Sequence, residues 1–159
     1  MKKLFTLFCL IAMGFSFASC SDDDDAAVVL PVYDDVVFMQ NGEVVSARNI
    51  VAGQEVTATL KQAKKGNYIY RYTYNWSCND SESGLNNKTH NKTNNEESVC
   101  TFTAGSPGDY TLTINIKYEC SGNKAPKIPS VDNPKIYVTY VGGSPLYANA
   151  TVTKNFTIR

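Results

Sequence analysis

From Tyr68 to Cys78 the chain reads Tyr-Ile-Tyr-Arg-Tyr-Thr-Tyr-Asn-Trp-Ser-Cys, with an aromatic residue or cysteine at every even position and mostly polar residues at the odd ones. Successive side chains of a β-strand point to opposite faces, so this segment keeps its aromatics together only as a strand; a helix would scatter them around its axis. Tyr110 to Tyr118 repeats the pattern, with Tyr110, Leu112, Ile114, Ile116 and Tyr118 on one face and Thr111, Thr113, Asn115 and Lys117 on the other. A strand with one dry face needs a second layer to cover it.

The same alternation, rich in Val, Ile, Thr, Tyr and Phe and broken by Gly, Asn, Pro and Ser clusters, continues from Val36 to the end, and no stretch keeps a helical period. It predicts strands near Val36–Gln40, Gln54–Ala63, Tyr68–Cys78, Ser98–Thr103, Asp109–Glu119, Lys135–Val141 and Asn149–Ile158. The expected fold is all-β: an antiparallel sandwich of about seven strands around one core. Tyr70, Tyr72, Tyr74 and Trp76 are read as core, because the opposite face of their strand carries Arg71, Thr73, Asn75 and Ser77.

Two segments carry a family resemblance. Tyr74-Asn75-Trp76, followed by Thr101 to Ile114 with its Pro107-Gly108-Asp109-Tyr110 turn, resembles a PKD or related immunoglobulin-like domain. The resemblance extends loosely to Ile50–Thr59 and Asn149–Ile158. It implies a sandwich with Trp76 in the core and Tyr110 at the entrance to a long strand.

The N-terminus sets the compartment. Lys2 and Lys3 precede an apolar run from Leu4 to Phe17 that is too short for a mature membrane span, and the small residues Ala18 and Ser19 stand before Cys20. Phe17-Ala18-Ser19-Cys20 resembles the lipobox of bacterial lipoproteins, which implies a diacylglycerol on Cys20. Ser21-Asp22-Asp23-Asp24-Asp25 resembles the acidic export signal of Bacteroidetes lipoproteins, which implies an outer-membrane protein facing the cell exterior. The expected organisation is a signal peptide over 1–19, a lipidated cysteine and acidic tether over 20–33, and the sandwich over 34–159. Acyl chains contribute about 0.8 kcal/mol per buried methylene, so the anchor needs no apolar protein surface.

Past the tether stand Cys78, Cys100 and Cys120, an odd number in an oxidising compartment. The expected bridge is Cys78 to Cys100, which would staple the polar insertion between them; Cys100 to Cys120 and three free thiols are the alternatives. That insertion, residues 79–97, has Leu85 as its one large apolar residue and reads as a solvated loop. A second insertion, residues 121–148, carries Pro126, Pro129 and Pro134 together with Tyr137, Tyr140 and Tyr147. These three tyrosines are the candidate binding residues, because long ordered loops on a rigid sandwich commonly carry recognition.

Basic and acidic residues balance at 15 each, and with Lys2, Lys3 and the tether aspartates set aside the body stays close to neutral. It lacks the positive field that nucleic acid requires. The single histidine, His90, sits in the polar insertion without a nucleophile elbow, the cysteines lack paired metal-ligand spacing, and no carboxylate pair presents itself. No enzyme, metal or cofactor is expected. The expected role is a non-catalytic surface module that binds glycan or protein, with an accessory subunit of a larger envelope or fibre complex as the alternative.

Replacing Cys20 with serine is expected to abolish incorporation of a labelled fatty acid and to release the protein from the membrane pellet. A Cys20→Ser protein that keeps both the label and the membrane would overturn the lipobox assignment.

Overall fold

The computed structural model describes residues 27–92, 97–130 and 135–159. Cys20 and the Ser21 to Asp25 export segment lie outside the described residues. Eleven strands follow in order among those described: β1 (Ala27–Val29), β2 (Val32–Gln40), β3 (Glu43–Val45), β4 (Glu55–Lys64), β5 (Ile69–Cys78), β6 (Lys88–Lys92), β7 (Ser98–Thr103), β8 (Gly108–Cys120), β9 (Lys124–Lys127), β10 (Tyr137–Gly142) and β11 (Tyr147–Ile158). Each of the seven strands read from the sequence overlaps one of them. β1, β3, β6 and β9 are additional.

The protein is an all-β sandwich. A four-stranded sheet in the order β3-β2-β4-β7 faces a five-stranded sheet in the order β10-β11-β8-β5-β6, and β1 and β9 form a separate parallel pair. The chain changes sheets between β4 and β5, between β6 and β7, and between β7 and β8. Within each sheet the named strand pairs are antiparallel.

The dry faces meet as the alternation requires. Tyr72, Tyr74 and Trp76 from β5 and Leu112, Ile114, Ile116 and Tyr118 from β8 are buried against Val36, Phe38, Val56, Ala58 and Leu60 of the opposite sheet. Phe156 of β11 sits 5.5 Å from the ring of Phe38 and packs edge-on to Phe102 at 6.3 Å, so aromatics from both sheets interlock. The Trp76 indole donates across the gap to Ser98 Oγ at 3.0 Å. Lys154 of β11 pairs with Asp35 of β2 at 2.7 Å along one side, tying the two layers at their rim.

Three expectations are corrected here. The sandwich begins before residue 34: Val28, Leu30 and Tyr33 are buried in the core, so 27–33 is part of the fold rather than tether. The polar insertion 79–97 is not simply a solvated loop. Ser81–Ser83 forms a short turn with Ser83 and Leu85 buried, and β6 adds to β5 in an antiparallel ladder from Tyr72↔Lys92 to Trp76↔Lys88. That turn lies against the end of β7 through bonds from Gly105 N to Ser83 O and from Ser106 N to Glu82 O. Gly84 there has φ +83, and a Cβ at this position would collide with the Thr103 carbonyl. Third, Tyr70 leaves the buried stripe. The register shifts between Ile69 and Arg71, which pair with the consecutive residues Cys120 and Glu119 of β8, and this bulge turns Tyr70 out to 49% exposure.

Polar side-chain atoms buried by the aromatic core are paired, with two exceptions among the described residues. Tyr33 and Tyr118 share a hydroxyl–hydroxyl bond at 3.0 Å between the sheets, and burial pushes both phenols well above their usual range. Tyr140 donates to the Pro31 carbonyl at 2.6 Å. The Tyr74 hydroxyl and Gln62 Nε2 are buried without a hydrogen-bond partner among the described residues. Removing one partner of a buried pair costs about 1–3 kcal/mol, whereas removing a group that is already unpaired costs nothing on that account. Tyr33→Phe is therefore expected to destabilise the fold by about 1–3 kcal/mol, and Tyr74→Phe to leave it unchanged or more stable. Equilibrium urea unfolding of the two variants reads the contrast; equal losses would refute it.

Candidate functional site

The alternation of β5 and β8 predicts that their odd-numbered residues are wet; β11 adds its own odd-numbered residues to the same face, and the ladders turn them into an ordered surface. Register across the five-stranded sheet aligns Thr89, Asn75, Asn115, Thr151 and Thr139 in one row. The next row is Asn91, Thr73, Lys117, Asn149 and Val141. On the other side lie Ser77, Thr113, Thr153 and Tyr137. Neighbouring strands are about 4.8 Å apart and same-face residues along a strand about 6.8 Å, so the face is a grid of small polar groups at near-regular spacing.

Its hydrogen bonds run in one sense. Thr89 Oγ1 donates to Asn75 Oδ1 at 2.8 Å, Thr73 Oγ1 to Asn91 Oδ1 at 3.0 Å, Thr151 Oγ1 to Asn115 Oδ1 at 3.0 Å and Thr111 Oγ1 to Asn155 Oδ1 at 3.0 Å. Each threonine proton is thus committed to an amide oxygen. The asparagine N–H groups and threonine lone pairs are left to meet a ligand or water. At the far end of the face Asp109 takes the place of asparagine and accepts from Thr157 Oγ1 at 2.6 Å.

The face is shallowly contoured. A depression of about 350 Å³ is lined by Asn75, Asn115, Lys117, Asn149 and Thr151 among others, and a second of about 260 Å³, reaching Asn87 and Thr89, shares Asn75 and Asn115 with it. Beyond the last Asn–Thr pair, Arg48 overhangs a third of about 360 Å³ with Asp109, Thr111 and Asn155. Arg48 is carried there by the chain segment beside β11, where Ile50 bridges Ile158 and Gln40 bonds both the N–H and the carbonyl of Val51.

Aromatic rings border the opposite end. Tyr70, turned out by its bulge, stands near Tyr147, which is 47% exposed, and the Lys117 ammonium lies 5.1 Å from the Tyr147 ring centroid. Partial burial, then the Glu119 carboxylate and Tyr147, hold the Tyr70 phenol above its usual range. Arg71 pairs with Glu119 at 3.3 Å. Tyr68 beside them is one of two non-glycine residues with positive φ among the described residues, at 56°, a conformation that is costly for a bulky side chain and occurs at functional surfaces.

The expected trio of Tyr137, Tyr140 and Tyr147 does not form a platform. Tyr140 pairs with the buried Ala150 and points inward, and burial pushes its phenol up to about 12. Tyr137 faces outward on the edge strand, opposite Thr153, while Tyr147 pairs with Glu119 at the sheet's end. Tyr140 is withdrawn from the outer face, Tyr137 ends the row of Ser77, Thr113 and Thr153, and Tyr147 stands at the other end beside Tyr70, the aromatic that sequence reading assigned to the core. The outward asparagines carried a signal only as wet positions, because pairing register is a long-range property.

The expected Cys78–Cys100 bridge is not made: Cys78, Cys100 and Cys120 are all free thiols. Cys78 ends β5 opposite Leu112 in one sheet, and Cys100 pairs with Ala58 in the other. Trp76 and Ser98, two residues before each, span the gap between sheets. The two cysteines stand in opposite sheets and do not lie at disulfide distance, which needs Cα atoms within about 7 Å of each other. Cys120 pairs with Ile69 at the opposite end of β5 from Cys78, and the Cys100–Cys120 alternative is not formed either.

His90 sits on β6 opposite Tyr74, half-buried, and burial, then Lys92 and Lys88, lower its basicity. Among the described residues no three His, Cys, Asp or Glu side chains gather as metal ligands would. Comparison with protein-family models, with curated proteins and with solved structures gives no match for this chain.

Cys100 and Cys120 are buried, and burial raises both thiols, so neither presents a thiolate at neutral pH. Iodoacetamide is expected to leave both unmodified in the native protein and to alkylate both once urea unfolds it, as read by peptide mass spectrometry. Native modification of either, or its recovery in a disulfide, would contradict this arrangement.

Proposed function

We propose that this chain is a lipid-anchored, surface-displayed outer-membrane protein that binds a neutral glycan, without catalysis, on the outer face of its five-stranded sheet. The observation that carries the reading is the Asn/Thr grid, with donors and acceptors repeating across Asn75, Asn115 and Thr151. A neutral polyol offers the complementary repeat: each sugar hydroxyl both donates and accepts, and carries no charge that would call for an ionic partner. Lys117 is the one charged side chain within these rows; the Arg71–Glu119 pair stands at one end of the grid and Arg48 and Asp109 at the other. Exposed Tyr70 and Tyr147 supply flat faces for pyranose C–H surfaces. Shallow, open depressions suit the side of an extended chain better than a small molecule, which takes an enclosed apolar pocket.

The proposed location is supported by the sequence: the lipobox-like segment ending at Cys20 and the acidic Ser21 to Asp25 segment favour anchoring and outward display. A relationship to PKD or immunoglobulin-like domains is part of the same proposal. It is supported by the buried Trp76 on a central strand and by Tyr110, whose hydroxyl donates to the Ser106 carbonyl at 2.8 Å as the corner tyrosine of such sandwiches does.

The test is an array of neutral polysaccharides probed with the wild-type protein and with Asn115→Ala and Tyr147→Ala. A ligand bound by the wild type is expected to lose about tenfold in affinity with Asn115→Ala, the equivalent of about 1.4 kcal/mol, with thermal stability kept. Binding that is indifferent to both substitutions would move the site off this face, and a wild type that binds no polysaccharide would sink the proposal.

A further inference from the structure

The outer edge of a β-sheet is a row of unpaired backbone groups, and sheet proteins block such edges with charge, proline, bulges, short strands or covering segments. β3 is three residues long, and the part of β2 beyond it carries Asp34, Asp35 and two register shifts. β6 presents Lys88 and Lys92. β7 has the Lys88 ammonium on its Thr101 carbonyl and the Ser81–Ser83 turn bonded across its end. β10 has no charge, proline or bulge; β9 comes into contact with it and Ile128 lies against its Gly142 end, but neither pairs with its outer side. Its sequence is Tyr-Val-Thr-Tyr-Val-Gly, with no charge and no proline, and its ladder to β11 runs without a shift over six residue pairs. Among the described residues its other side carries no strand. Tyr137 is 72% exposed and Val141 57%, and the exposed Ile128 side chain lies beside Gly142.

We propose that β10 is a dimerisation edge, pairing antiparallel with β10 of a second copy of this chain about a two-fold axis at Thr139. Residues directly opposite in an antiparallel ladder share a face, so a two-fold axis perpendicular to the sheet passes through a residue and not between two. Centring it on Thr139 uses the whole strand. Tyr137 then meets the partner's Val141 on the outer face, Val138 meets the partner's Tyr140 on the inner face, and Thr139 meets its own copy. Aromatic with β-branched residue and threonine with threonine are favourable cross-strand pairs, and the absence of charge removes like-charge repulsion from a self-pairing strand. This self-complementarity selects a second copy over an unrelated donor strand. The contact is small, so the dimer is expected to dissociate on dilution. The inference stands on the strand edge and does not depend on glycan binding.

Sedimentation velocity of the full-length chain in detergent tests it. The wild type is expected to show a concentration-dependent dimer, and Thr139→Lys and Thr139→Glu each to lose it, because each sets two like charges face to face. An equimolar mixture of the two variants is expected to restore the dimer, which also shows that both are folded; Thr139→Ser is expected to dimerise as the wild type does. A wild type that stays monomeric across the concentration range overturns the proposal, as it would if a different envelope protein were found crosslinked to β10. A Thr139→Lys protein that dimerises like the wild type, or a mixture that stays monomeric, overturns the pairing at Thr139.

Discussion

The β8–β11 ladder is the constraint from which the rest of the molecule takes its positions. It pairs Gly108–Glu119 with Tyr147–Ile158 in twelve consecutive steps without a register shift. Because side chains alternate with period two, an unbroken ladder of this length fixes the face of every residue in both strands at once; a slip of one residue would exchange core and surface throughout. Leu112, Ile114 and Ile116 are thereby committed to Trp76 and the opposite sheet, and Thr111, Asn115 and Asn155 to solvent. β10 inherits its register from β11 and β5 inherits its register from β8, so the polar rows stay aligned across the sheet.

What was legible in the sequence is what alternation alone dictates. β5 and β8 announced their dry faces because each buries one side of a long strand, and the aromatic stripe from Tyr72 to Trp76 is core as read. β6 was illegible for the same reason in reverse. As an edge strand made of Lys-Thr-His-Asn-Lys it buries little, carries no apolar alternation, and owes its existence to backbone bonds offered by β5. Residues 27–33 read as tether because Pro31 interrupts a run too short to show a period, yet Val28 and Leu30 complete the core at its margin. Tyr70 was lost to a bulge, a one-residue insertion in the ladder that no single strand's pattern contains. The cysteines failed differently. Their inward direction was readable at Cys100, but which residues face each other between sheets depends on how the layers stack, and Trp76 with Ser98 decides that.

Strand edges show how the additional elements serve the fold. The insertion between β5 and β7 looks dispensable by composition, but it delivers β6 to one sheet and the Ser81–Ser83 turn and Lys88 to the other, shielding β7. Gly84 and Gly105 let the two backbones approach within hydrogen-bonding distance, which a side chain at either position would prevent. Against that covering of one uncharged edge, β10, touched by β9 but paired with no strand on its outer side, is the exception among the described residues.

The polar face and the bare edge also bear on each other energetically. A single asparagine–hydroxyl bond exchanges with water for about 0.5–1.5 kcal/mol net, so under the proposed function a shallow grid on one sheet would bind any one sugar unit weakly. A repeating polymer changes that, because a second grid held at fixed distance is engaged at high effective concentration, and avidity rises by about 10²–10⁴ without any new contact. Pairing through β10 about a two-fold axis perpendicular to the sheet would place the second copy's outer face in the same surface as the first, with the rows of Thr139 and Val141 continuing across the joint. An edge kept free of charge would then serve the same purpose as the Asn/Thr rows: one continuous hydrogen-bonding surface twice as wide, displayed by two anchors instead of one.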